Sequence, residues 1–287
     1  MENITPLLIK SLNSSVKITL IIFVMMITLE LIVLKFQGRI LKFIEKSRFV
    51  KYVIASFFGV LPGCIGTFAM DSLYMTGMLG FGGIIATMIA TSGDEAFIML
   101  GMAAKGEISW IVIIVLTLTL FLLGIIGAFI ATLLRKKMNI KFCKKCKIVV
   151  HQNEKFVSRH FLKEHIFNHI IKKHIWQIFL WLFAALFVIE LLQGHINLEF
   201  SGSSMVYVLL VASLIGILPI SGPNVFLVVM FSKGLIPFSV LLANSIIQDG
   251  HGLLPIVGFS VEDALKIKLF NFIFGFAIGF ILLSLGL

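Results

Sequence analysis

Residues Ser56–Gly93 align without a gap on Ser213–Gly250, so the chain has to accommodate the same broken segment twice. The identities are Ser56/Ser213, Gly59/Gly216, Leu61/Leu218, Pro62/Pro219, Gly77/Gly234, Phe81/Phe238, Ala86/Ala243, Ile89/Ile246 and Gly93/Gly250. Each copy opens on an apolar run broken at a Gly-Val/Ile-Leu-Pro sequence. Each closes on a polar cluster, Thr91-Ser92-Gly93-Asp94-Glu95 in the first and Gln248-Asp249-Gly250-His251-Gly252 in the second. Paired, interrupted apolar segments in the two halves of a membrane chain point to a transport site near mid-membrane.

Composition fixes the class. With 59% hydrophobic and 13% charged residues, the chain has too few polar groups to cover a water-soluble surface. It reads as an all-α integral membrane protein. The first long apolar run, 18–34, follows an amphipathic start and lacks a small-residue cleavage site, so it reads as a retained helix and not as a signal peptide.

The net charge of +10 is confined to one place. Residues 135–173 carry twelve lysines and arginines against Glu154 and Glu164, which accounts for the whole excess. Basic loops beside membrane spans mark the cytoplasmic side, and the segment holding Lys35, Arg39, Lys42, Lys46, Arg48 and Lys51 is basic in the same way. Topology therefore explains the charge, and no nucleic-acid partner is needed to account for it. The expected organisation is a first membrane repeat over 1–134, a basic cytoplasmic loop over 135–173 and a second membrane repeat over 174–287.

With both basic segments inside, 51–134 holds an even number of crossings. It divides at Pro62–Gly66, at Gly77–Gly83 and at Ser92–Glu95. The second half reads as segments near 174–193, 204–219, 223–232 and 235–248, a broken piece at 250–258 and a last span near 263–286. Five segments per half is an odd number, so two inverted five-segment repeats with broken or re-entrant helices are expected, with both termini outside. Glu30 and Glu190, each near the end of the first helix of its half, are candidate symmetry mates. The plainer reading of both is an interfacial carboxylate, Glu30 reaching Lys35 by snorkelling.

Function is expected in the polar clusters, because an ionisable group inside a span costs at least about 2.5 kcal/mol and needs a partner, water or a ligand. Asp71, Asp94, Glu95, Asp249 and His251 are the ionisable candidates, and Ser92, Asn224, Asn244, Gln248, Thr67 and Thr91 are neutral oxygen donors. Ser92 and Asp249 also read as helix N-caps, and capping alone is the bland account of them. Carboxylates, amide oxygens and one imidazole suit Mn²⁺ or a similar divalent cation, whereas thiolates suit copper or zinc. Cys64 is the membrane cysteine, and the methionines around it read as packing. An anionic substrate calls for intramembrane arginine, and only Lys233 is expected to interrupt the apolar second half.

The basic loop holds a second constellation. Cys143 and Cys146 form a C-x-x-C, His151 follows, and His165 and His169 stand at i, i+4. Thiolates and imidazoles so spaced can close a zinc-like site. The flanking lysines repel cations, which favours a solvated linker over metal sensing.

Leu61-Pro62-Gly63-Cys64, the block from Met88 to Ala96, Ser221-Gly222-Pro223-Asn224 and the block from Leu242 to Gly252 together resemble the bacterial manganese-transporter family, also described as ten-helix heavy-metal exporters or arsenic efflux-like proteins. The resemblance spans both halves; the family often carries histidine at the position of Asn224. It implies a multi-pass exporter of the bacterial cytoplasmic membrane, with the lipid bilayer and a metal ion as partners and no cofactor beyond the transported ion. Proton coupling and a homo-oligomer stay open. The leading expectation is export of a divalent metal, Mn²⁺ first, by alternating access at a carboxylate site, with no enzyme activity. The alternatives are efflux of an arsenical or organic anion, and an intramembrane polyprenyl-pyrophosphate phosphatase, which needs a cationic clamp on phosphate.

Overall fold

The computed structural model describes residues 4–44, 47–138, 175–195, 203–218 and 221–287, and all regular structure among them is helical. The first half runs α1 (Ile4–Ile44), α2 (Arg48–Val60), α3 (Ile65–Met75), α4 (Phe81–Ala90), α5 (Glu95–Ala104) and α6 (Trp110–Met138). The second runs α7 (Trp176–His195), α8 (Ser203–Ile217), α9 (Gly222–Ser232), α10 (Phe238–Ile247), a 3-10 turn (Gly250–Leu253) leading into α11 (Leu254–Phe259), and α12 (Val261–Ser284). The shift that carries Ser56 onto Ser213 carries α3 and α4 onto the bounds of α9 and α10.

The duplication extends to individual contacts. Thr87 Oγ1 donates to the Ala55 carbonyl at 3.2 Å, and at the matching positions Asn244 Nδ2 donates to the Ala212 carbonyl at 2.9 Å. A Cβ on Gly124 of α6 would stand 2.7 Å from the Ala86 carbonyl, and one on Gly275 of α12 3.1 Å from the matching Ala243 carbonyl. Glycine is therefore what lets the last helix of each half lie directly on its central helix. Contacts between the halves are reciprocal: α3 touches the 3-10 turn and α11 while α9 touches α5, and α4 touches α12 while α10 touches α6. Reciprocal contact is the mark of a two-fold relation. Helices α1 and α7 run antiparallel, since Ser11 at the start of α1 meets Glu190 near the end of α7.

Local contacts order the segments across the bilayer. Tyr52 in α2, the start of α4 at Gly82 and Thr132 late in α6 lie together, with Tyr52 and Thr132 hydroxyls 2.8 Å apart. This is the face where α6 ends in Arg135-Lys136-Lys137. Lys51 Nζ donates to the Met78 carbonyl at 3.0 Å, so α3 returns to the face from which α2 set out. At 13 and 11 residues, α2 and α3 reach about 20 and 16 Å, so each is a half-length arm of a re-entrant hairpin. Helices α4 and α5, of 10 residues each, together make one broken span of about 30 Å to the opposite face. There Lys105 Nζ meets Ser14 of α1 at 2.7 Å. Helix α6 then returns to the basic face.

The expected segment boundaries shift accordingly. The division at Ser92–Glu95 falls inside one span, and a division not foreseen falls at 105–109. There Gly106, at φ +80°, lets the Glu107 N–H reach back to the Met102 carbonyl at 2.9 Å and end α5. The broken piece at 250–258 is the partner of α5. The central spans are enclosed by the rest: 83% of the Phe81–Ala104 window is buried, against 28% for α6 and for α12. Ile111, Ile114, Leu118, Leu122 and Leu133 form an exposed apolar stripe on α6, suited to lipid.

A cysteine scan tests the hairpin. With Cys64, Cys143 and Cys146 replaced by serine, Gly80→Cys should react with an impermeant maleimide from the same side as Lys137→Cys, and Ser109→Cys and Lys233→Cys from the other. Labelling of Gly80→Cys with the second pair would show that α2 and α3 cross.

Candidate functional site

Two chain breaks with the same backbone path cross at the centre. After α4 the chain turns extended at Thr91 (φ −77°, ψ 131°), and after α10 it does so at Gln248 (φ −74°, ψ 131°). Gly93 at φ +51° and Gly250 at φ +52° follow in turn. A Cβ on either glycine would lie 3.9 Å from the Cα of the other, so the breaks touch backbone to backbone. The tip of the first hairpin joins them, with the Gly63 N–H donating to the Gly93 carbonyl at 3.1 Å.

Polar side chains from both halves collect around this crossing. Asp94 Oδ2 accepts from Ser221 Oγ at 3.4 Å and lies 3.6 Å from His251 Nδ1. The matching positions also lie close together: Cys64, mate of Ser221, stands beside the backbone of His251, mate of Asp94. Glu95 is buried in the first turn of α5, where the positive end of the helix favours a carboxylate. Both its oxygens are buried without a hydrogen bond, with the Asn224 side chain nearby. Asn224 Oδ1 accepts from Asn244 Nδ2 at 2.9 Å, and Thr67, the mate of Asn224, meets Thr91 at 3.3 Å. Gln248 Nε2 donates to the Thr91 carbonyl at 3.4 Å. Gln248 Oε1 is buried without a hydrogen bond, 3.5 and 3.6 Å from where Gly93 and Gly250 would carry a Cβ. Asp71, in α3, is fully buried with both oxygens unbonded.

Asp249 is held differently. Its Oδ1 accepts from Asn271 Nδ2 at 3.0 Å, and its Oδ2 stands 2.7 Å from the ammonium of Lys268. Lys268 was not foreseen: it is a buried lysine in the second half, where only Lys233 was expected. The signal was present in Leu265-Lys266-Ile267-Lys268, because lysines two apart on a helix point to nearly opposite sides. Lys266 pairs with Glu262 at i, i+4 on the surface, which turns Lys268 and Asn271 inward.

The model of the family described as "Putative, 10TM heavy-metal exporter" matches residues 11–198 and 122–285. The chain belongs to that family. No curated protein and no solved structure matches it. The crossing is where buried acidic groups meet broken helices. Among the described residues no three His, Cys, Asp or Glu side chains stand close enough together to hold one ion. Coordination at the crossing in this conformation would draw on the neutral oxygens as well. A narrow cleft runs from Asp94 and Ser221 past Ile98, Ile178 and Val225 to Trp181, whose indole packs on Gly222.

Three expectations from the sequence need correction or placing. Ser92 and Asp249 do not cap by side chain: the residue before α5 is Asp94, and neither it nor Asp249 makes a side-chain cap bond. Glu190 lies away from the crossing, bound to Lys10 at 3.2 Å, Lys233 at 3.3 Å and Ser11 at 3.5 Å near the face opposite the basic one. Glu30 lies on the α1 backbone, and its side chain is outside the described set, as are Cys143, Cys146, His151, His165 and His169.

The Asn244 bonds give a test from the duplication itself. Asn244→Thr installs the mate's residue, can keep the bond to Ala212, and should retain most thermal stability in detergent. Asn244→Leu removes two buried hydrogen bonds and should cost about 1–3 kcal/mol, read as a fall in melting temperature.

Proposed function

We propose that this protein exports a divalent cation, Mn²⁺ in first place, by alternating access at the crossed breaks. One observation carries the reading: Asp94, Glu95 and Asp249 are buried at the crossing and Asp71 is buried in α3, and one buried lysine among the described residues stands against them. A buried ionised carboxylate carries a desolvation penalty of several kcal/mol, so an excess of acid over fixed base favours the arrival of a mobile cation, a metal ion or a proton.

The donor chemistry supports a hard to borderline divalent ion. Carboxylates of Asp94, Glu95 and Asp71, amide oxygens of Gln248 and Asn224 and the His251 imidazole make a set in which oxygen dominates. Gly93 adds close access, since the position of its missing Cβ is 3.2 Å from Glu95 Oε2 and 3.5 Å from Gln248 Oε1.

The mechanism rests on inversion. Antiparallel α1 and α7 and reciprocal contacts between the halves support a two-fold axis in the membrane plane, the arrangement by which broken-helix transporters expose one site alternately to each side. The basic end of α6, with the loop that follows it, supports placing that face in the cytoplasm and both termini outside. Carboxylates that bind metal also bind protons, which gives a route for exchange of one against the other.

Efflux of an arsenical or organic anion and phosphatase chemistry both need a cation with spare donors. Lys268 is present, but its ammonium is already paired with Asp249 and donates to the Gly216 and Ile247 carbonyls.

Purified protein in proteoliposomes, given a panel of cations with and without a pH gradient, tests the reading. Mn²⁺ should be moved, and Asp94→Asn and Glu95→Gln should each lower the rate at least about tenfold, the equivalent of 1.4 kcal/mol. Transport of arsenite and not of Mn²⁺ by the wild type would overturn the cargo, and full activity of both variants would overturn the site.

A further inference from the structure

We propose that Lys268 is a tethered cation that permanently answers Asp249, so that the second break is a lock and the first break alone takes the cargo. This rests on the reading of the crossing as a cation pathway, and it takes Asp249 out of the coordinating set.

Both partners are held in place. The Lys268 ammonium stands 2.7 Å from Asp249 Oδ2 and donates to the Gly216 carbonyl at 2.9 Å and the Ile247 carbonyl at 2.8 Å. Two of its three N–H groups are thus spent on helix-end carbonyls, and its charge faces Asp249. Asn271 takes the other carboxylate oxygen. Gly216 and Ile247 close α8 and α10, where unpaired carbonyls and the helix dipole both favour a cation. From α12, one charge therefore ties together a hairpin arm, a half-helix and the break beyond it.

The first half has no such device. Ser92 stands where the second half has Asp249. On α6, the glycine correspondence between Gly124 and Gly275 sets Thr117 and Leu120 opposite Lys268 and Asn271, leaving neither cation nor amide. The first break instead brings Asp94 and Glu95, where the second has His251 and Gly252. Two copies of one backbone thus differ in charge: one break is neutralised from within by Lys268, and the other carries Asp94 and Glu95.

Lys268 acts on transport through Asp249, which makes it a positioning residue. Removing it should free a buried carboxylate beside the pathway, and that carboxylate should hold cargo too tightly.

Transport kinetics of purified, monodisperse variants in proteoliposomes, with Mn²⁺ as the probe, provide the test. Lys268→Met should lower both KM and Vmax, because binding tightens and release slows. A residue that merely packs would lower Vmax at unchanged KM, and that result would overturn the proposal. Asp249→Asn strands a buried lysine and should lose most activity. The double variant Lys268→Met/Asp249→Asn should recover KM to within about twofold of wild type and regain most of Vmax, as coupled sites do when both partners go. If Lys268→Met fails to accumulate while the double variant does, the lock stands. A double variant no better than Asp249→Asn, with KM raised, would make Asp249 a cargo ligand and overturn the inference. Failure of the wild type to move any cation would instead remove the transport reading beneath it.

Discussion

Everything in this fold depends on how it breaks helices at membrane depth. A helix that stops in hydrocarbon leaves up to four N–H or C=O groups without partners, and such groups survive only where protein or a polar cavity receives them. Here the interruptions receive one another. Gly93 and Gly250 touch, Gly63 donates into the same knot, and the ends of α8 and α10 are closed by Lys268. A side chain at Gly93 or Gly250 would have to adopt a left-handed backbone and also push the two breaks apart, so both positions demand glycine twice over. Around that contact, α6 and α12 and the antiparallel pair α1 and α7 serve as the wall that keeps lipid out.

The backbone is nearly symmetric and the chemistry is not. Thr87 and Asn244 make the same bond to matching carbonyls with different groups, which shows how a duplicated frame is kept while its side chains drift. Cys64 and Ser221 occupy matching positions at the two hairpin tips, and Thr67 and Asn224 stand one turn further on. The acids have drifted furthest. One half sets Asp94 and Glu95 at its break, the other sets Asp249 and supplies the lysine that neutralises it. A transported cation is attracted by the difference between the halves and guided by what they share.

Much of this was legible in the sequence, and the limits have physical causes. Alignment of the halves located both breaks, because glycine and proline mark backbone path whatever surrounds them. Buried acids stood out because charge in an apolar run is costly. Re-entrant segments were expected, but which segments return was not legible: α2 and α3 have the same composition whether they cross or return, and what decides is where the ends lie, as the Lys51 contact to Met78 shows. Lys268 was overlooked because a lysine near the start of a long span reads as interfacial, as Lys266 in fact is. The direction of one side chain on α12 separates a surface pair from the lock of the second break.

The ties between the halves differ in strength in a way that bears on movement. Near the face opposite the basic one, Glu190 holds Lys10 and Lys233, but Lys10 keeps 67% of its side chain exposed, and ion pairs open to water contribute on the order of 0.2–1 kcal/mol. Toward the basic face, Tyr74 of α3 donates to Asp263 of α12 at 3.0 Å, a buried bond across the halves whose loss leaves a desolvated group behind. At the centre, Lys268 and Asp249 are buried as well, and separating them would strand two charges at once. The cheap contacts therefore lie at one face and the costly ones toward the crossing and the other face. A rearrangement that preserves the crossing and opens the Glu190 cluster costs least, and it leaves α12, with Lys268, as the fixed frame against which α1 and α7 can shift.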